Sequence, residues 1–324
     1  VLRLAFIAFI VLIGGFVWAG PGILLTPFTP RGFSSVSDGT NTVYFQSRGD
    51  LAREMLDAAQ QSQAAILEFW DDPVVTSLFD GVRLYLGETP DAYYRLTGNH
   101  AGGSAMFGSV IVINLSKVGE RHSMVDFIDH EMAHIYLRRR FGYFGKHFSI
   151  PMWFDEGTAI LIQTKSPFKD RFQSYLEMRP QLFSVRQLRY ATDWETMYSV
   201  EGGILTGQHY GYVGTFVEYL QQTYGQDKIR SYLGALSMSR HPEVVFEDVF
   251  GESLMAAEEH WMTRDKEGGL IPADTELVPL PRVGRVIIKW GIIFGLLLFF
   301  ALWGFRQACR AVRFVAAKMA TVTN

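Results

Sequence analysis

The spacing of apolar and polar positions divides the chain into pieces of different period. The segment LAREMLDAAQQSQAAILEFW, which opens just after Asp50, repeats its apolar residues every three or four positions. That spacing predicts an amphipathic helix with Leu51, Met55, Ala58, Ala59, Ala65, Ile66 and Phe69 close to one face. Short strand-like pieces follow at Val82 to Leu86, Tyr93 to Leu96 and Val110 to Leu115, punctuated by Gly and Asn as hairpins are. From Ser123 to about Arg264 the pattern turns helical and largely stays so. Strands first and helices afterwards predict an α+β fold, a small mixed sheet followed by a helical part.

Two stretches keep no polar period at all. Leu4 to Leu25 carries no charge, and Val286 to Phe305 holds only Lys289 near one end. Each is close to the roughly 20 residues that a helix needs to cross a bilayer core. Trp290 and Trp303 stand near the ends of the second run, and Arg306, Arg310, Arg313 and Lys318 follow it, as a cytoplasmic flank would. Arg282, Arg285 and Lys289 on the other side weaken that asymmetry. The first run reads as a signal anchor or as a cleaved secretory signal. Its length and the lack of a clean A-x-A site favour the anchor, and either would export the region between the two runs.

The expected organisation is therefore an anchor at 1–25, a Pro/Gly/Ser/Thr-rich linker at 26–46 and a domain at 47–264. A second linker at 265–282, a transmembrane helix at 283–305 and a basic cytoplasmic tail at 306–324 complete it. The domain is expected to be flanked by N- and C-terminal transmembrane helices, extracytoplasmic, at the cell membrane with two spans and both termini in the cytoplasm.

Composition adds little to this. A formal charge of -3 gives no sign of a nucleic-acid partner, and a mean hydropathy of +0.08 reflects the two apolar ends, with the lipid bilayer as partner. The one cysteine, Cys309, lies in the basic tail, so no disulfide framework is available between the runs.

The candidate chemistry begins at His130-Glu131-Met132-Ala133-His134. Residues four apart on a helix project from one face, so both imidazoles can reach one metal ion. Glu131 lies one position round, placed to act on a water without ligating. Ser123 and Asp126 have capping-box spacing, which sets the motif well inside the helix. A catalytic zinc site needs a third protein ligand and an open fourth position. A metzincin continuation fails, because Leu137 and Arg140 stand where its Gly and His belong, and Arg138-Arg139-Arg140 excludes an intramembrane site. A Glu on a following helix remains, and Glu156 in Pro151-Met-Trp-Phe-Asp-Glu-Gly-Thr-Ala159 supplies one.

With both motifs in view, the chain resembles the gluzincin superfamily, in particular the peptidase MA-like group related to thermolysin and the zinc aminopeptidases. The resemblance covers roughly residues 80 to 264 and continues through His209-Tyr-Gly-Tyr-Val-Gly-Thr-Phe-Val-Glu-Tyr-Leu220. It implies a metallopeptidase holding one zinc ion through His130, His134 and Glu156, with Glu131 as the general base. Tyr210 matches the family tyrosine that steadies the oxyanion, and His209 and Tyr212 are neighbouring alternatives. Asp155 stands where relatives often carry an Asn that holds the second His, and an Asp accepts that N–H as well. Ile160 replaces the Asp that supports the first His in thermolysin. Gly103 to Gly108 is similar to the Gly-Ala-Met-Glu-Asn segment of zinc aminopeptidases, with Phe107 in place of the amine-binding Glu. The substrate implied is a peptide or protein in extended form, paired with the strand near Ser104 to Asn114. A second reading keeps the fold without the chemistry, as a membrane-tethered scaffold that binds a protein partner.

Overall fold

The computed structural model describes residues 31–72, 76–106, 109–119, 123–163, 172–189 and 203–279. Strands β1 (Ser34–Ser37) and β2 (Thr42–Phe45) form an antiparallel hairpin. Asp38 closes its turn, accepting from the amides of Thr40 and Asn41 at 2.7 and 2.6 Å. Helix α1 (Gly49–Trp70) then carries the chain back to β3 (Arg83–Gly87), which lies parallel to β2. Helix α2 (Pro90–Thr97) follows. Strands β4 (Gly103–Met106) and β5 (Val110–Asn114) form a second hairpin, with β5 parallel to β3. The sheet order β1-β2-β3-β5-β4 leaves β4 at a free edge.

The fold is thus mixed α/β, with a parallel centre, and not strands followed by helices. Helices alternate with the strands because parallel neighbours require a crossover, and α1 supplies the first. Tyr93 to Leu96 belongs to α2 and not to a strand. Thr89 caps that helix by accepting from the amide of Ala92 at 3.1 Å, and Pro90 and Asp91 fill its first turn. On α1 the expected face is partly right. Met55, Ala58, Ala59 and Ile66 are buried, joined by Ala52, Leu56 and Trp70, whereas Ala65 is exposed.

The flanking transmembrane helices are the other part of that expectation. Among the described residues no helix is long and apolar enough to cross a membrane. The apolar runs at 4–25 and 286–305 lie outside the described residues. Both expected linkers also contribute structure. The first holds β1 and β2, and the second holds β7 (Glu276–Val278), which pairs in parallel with β6 (Gln181–Phe183).

The helical layer opens with α3 (Met124–Phe141), whose capping box forms as expected. Ser123 Oγ accepts from the Asp126 amide at 3.1 Å, and Asp126 accepts from the Ser123 amide at 2.9 Å. After it come α4 (Tyr143–Ser149), α5 (Met152–Ile162), α6 (Phe172–Met178) and α7 (Gly203–Tyr224). The last three are α8 (Gln226–Ala235), α9 (Pro242–Phe250) and α10 (Leu254–Glu267). Helix α3 packs between α1 and α5, and α7 lies along the other side of α5. That second contact is close because glycines meet it from both sides. A Cβ at Gly157 would stand 2.6 Å from the Val213 carbonyl oxygen, and one at Gly214 would stand 2.5 Å from Ile160 Cγ2. Behind α5, Trp153 and Phe154 pack against Phe216, Tyr232 and Phe246, all buried. This aromatic core fixes the helix that carries Glu156.

Candidate metal centre

Helices α3 and α5 bring three side chains to one point. His130 Nε2 lies 3.2 Å from His134 Nε2 and 3.2 Å from Glu156 Oε2, and His134 Nε2 lies 3.4 Å from the same oxygen. All three side chains are buried and meet the spacing of a metal-binding group. Two ligand atoms bonded at about 2.0–2.1 Å to one tetrahedral zinc stand about 3.3 Å from each other. The donors therefore fit the triangular face of such a site without rearrangement. An i, i+4 pair on α3 supplies two corners, and α5, crossing beside it, supplies the third.

Neighbouring groups fix the first of these side chains less than the second. His134 Nδ1 is 2.7 Å from Asp155 Oδ1, which leaves Nε2 directed at the shared point. His130 Nδ1 is buried with no hydrogen-bond partner among the described residues. Its ring is held edge-on by His134, with centroids 4.8 Å apart, and by Tyr210, at 6.0 Å.

Charge is concentrated here. Burial opposes a charged His134, but the carboxylates of Asp155 and Glu156 outweigh it and push its pKa up to about 10. Burial likewise works against the Asp155 anion, yet His134 and Lys146 hold that carboxyl well below its usual range. Glu156 is lowered to about 2, its burial overcome by the two imidazoles. Two buried carboxylates thus demand positive charge beside them, which a proton on His134 or a metal cation can provide.

Glu131 is buried and its carboxylate reaches β4 of the sheet. Its Oε2 accepts from the Ala105 amide of β4 at 2.5 Å. Gly103 makes room for it, since a Cβ there would fall 2.7 Å from Glu131 Oε1. Two turns further along α3, Arg138 donates to the carbonyls of Ala105, at 3.1 Å, and Met106. The Asn114 amide donates to the Gly102 carbonyl at 2.8 Å, so ladder alternation turns the backbone of Gly103 and Ala105 to the free edge. Ala105 spends its edge groups on Glu131 and Arg138, and those of Gly103 have no partner among the described residues.

The three oxyanion alternatives separate clearly. The ring of Tyr210 faces His130. His209 is buried, stacked on Phe183 and accepting from its amide at 3.0 Å. Tyr212 donates to Glu258 and accepts from the Val185 amide at 3.3 Å. Their polar atoms serve the junction of α7 with the segment after α6. Phe107 lies outside the described residues. Sequence reasoning passed over Lys146, whose Nζ pairs with Asp155, and Arg138, which grips β4. Arg138 was findable, because it stands seven residues beyond Glu131 on the same helix face. No protein-family model matches the chain, and no curated protein matches it.

Proposed function

We propose that the protein is a zinc-dependent metallopeptidase of the gluzincin type. The observation that carries this reading is the near-equilateral triangle of His130, His134 and Glu156 atoms, set beside Glu131 and a strand edge. Zinc is the favoured metal because two imidazoles and one carboxylate are a donor set that suits it. When bound, zinc supplies Lewis acidity toward a carbonyl and lowers the pKa of a coordinated water to about 7.

The chain's own residues do the rest. Glu131 takes the proton from the attacking water and later delivers it to the leaving amine. Its hydrogen bond from Ala105 holds the carboxylate in place for both transfers. The free backbone groups of Gly103 pair with an extended peptide, adding a strand to the sheet edge. Tyr210 donates its hydroxyl to the oxyanion that develops as the carbonyl is attacked.

Metal analysis of the purified protein should find about one zinc per chain, and His130→Ala or His134→Ala should lose most of it. Glu131→Gln should keep the zinc and lose hydrolysis of an unstructured protein by at least about a hundredfold. Full zinc in both histidine variants would sink the ligand assignment. Wild-type turnover by Glu131→Gln would sink the chemistry, and zinc binding without cleavage by any form would favour the scaffold reading.

A further inference from the structure

Lys146 is 5 % exposed, the one buried lysine or arginine among the described residues. It sits on α4, which Gly142, at φ 73°, turns back sharply from the end of α3. The Lys146 amide donates to the Gly142 carbonyl at 2.9 Å, so the turn is closed at the residue that carries the charge. Its ammonium reaches Asp155 Oδ2, while Asp155 Oδ1 lies 2.7 Å from His134 Nδ1. Asp155 is itself 1 % exposed.

One carboxylate is thus held at both oxygens, by a lysine on α4 and a histidine on α3. Rotating it about its own axis would break both contacts. An Asp with only His134 to bond would leave half of its charge facing an apolar interior, which is costly. A neutral amide at position 155 would accept the same imidazole N–H and need no counter-charge. The ammonium is therefore what allows an acid to stand here.

We propose that Lys146 is a positioning residue of the metal centre. By pairing with Asp155 it keeps Oδ1 on His134 Nδ1, and so keeps His134 Nε2 aimed at the metal. The inference rests on His130, His134 and Glu156 being the ligands.

The test uses the full chain as wild type, Lys146→Met, Asp155→Asn and the double variant. Zinc affinity is measured by competition with a chromophoric chelator, and the visible spectrum of cobalt(II)-loaded protein reports the ligand geometry. Each single change should weaken zinc by at least about tenfold, the low end for partners that orient a ligand. Lys146→Met should also shift the cobalt spectrum. The double variant should recover to within about threefold of wild type and regain its spectrum, because coupled neighbours do not add. Should the single variants fail to fold, the double variant alone decides between recovery and loss. Wild-type affinity and spectrum in Lys146→Met would overturn the inference, as would a double variant losing tenfold or more. A wild type that takes up neither zinc nor cobalt would overturn the ligand assignment with it, and no variant would then differ.

Discussion

On α10, Glu258 is 1 % exposed and accepts from the hydroxyls of Tyr212 and Ser184 and from the amide of Val185. Burial pushes its carboxyl up to about 7, against the hydrogen bonds from Ser184 and Val185 that favour the anion. A folded-state pKa above the unfolded one means that the native protein holds a proton the unfolded chain has released. The contribution is full below about pH 4.5 and is lost as pH rises through about 7. Denaturant titrations across that window should show wild-type stability falling relative to Glu258→Gln. The fall should reach as much as ~3 kcal/mol, since each tenfold difference in proton affinity is worth about 1.4 kcal/mol. Parallel curves for the two proteins would contradict it. Residues differ in how well the sequence announces them. His130 and His134 were legible because four positions of helix impose their meeting. Glu156 was legible only through its motif. Lys146 and Glu258 were not, because each meets its partner through a turn or a helix crossing that no local spacing encodes.

Between elements, the informative contact is β4 against α3. The strand edge grips Glu131 through one amide, and the missing side chain at Gly103 gives the carboxylate its room. Gly103→Ala should displace Glu131 without touching a ligand. Turnover on an unstructured protein should fall at least about tenfold while zinc content stays near one, since proton transfer depends on close placement. Unchanged turnover would mean that the carboxylate moves freely. The same hairpins show where pattern reading fell short. Asp38-Gly39 between SSVS and TVYF is a strong turn signal, but it lay inside a stretch whose composition reads as linker. Thr89-Pro90-Asp91 announces a helix start, yet the aromatic pair after it looks like strand. β6 and β7 have three residues each and are fixed by each other, so neither has a pattern of its own.

For the molecule as a whole, the metal would tie α3 to α5 at the centre of the helical layer. Zinc at about a hundred times its Kd should add about 2.7 kcal/mol to stability. For a domain of this size that is roughly 5–10 °C in Tm. A chelator should remove the shift from wild type, and His134→Ala should not show it, by differential scanning calorimetry. A shift that survives in His134→Ala would place the metal elsewhere. The start of the helical layer was legible from the change of period at Ser123, but the helices set between the strands and the parallel centre were not, since pairing direction depends on where α1 returns the chain. The β6–β7 pair has a consequence in time. β6 is made early and waits for β7, and roughly a hundred residues of translation separate them, on the order of 5–20 s. During that wait the helices that carry His130, His134 and Glu156 are already made. Phe183, against which His209 stacks, still lacks its neighbouring strand. On the ribosome, the capacity to hold a metal should thus arise before the two-stranded sheet beside His209 is closed.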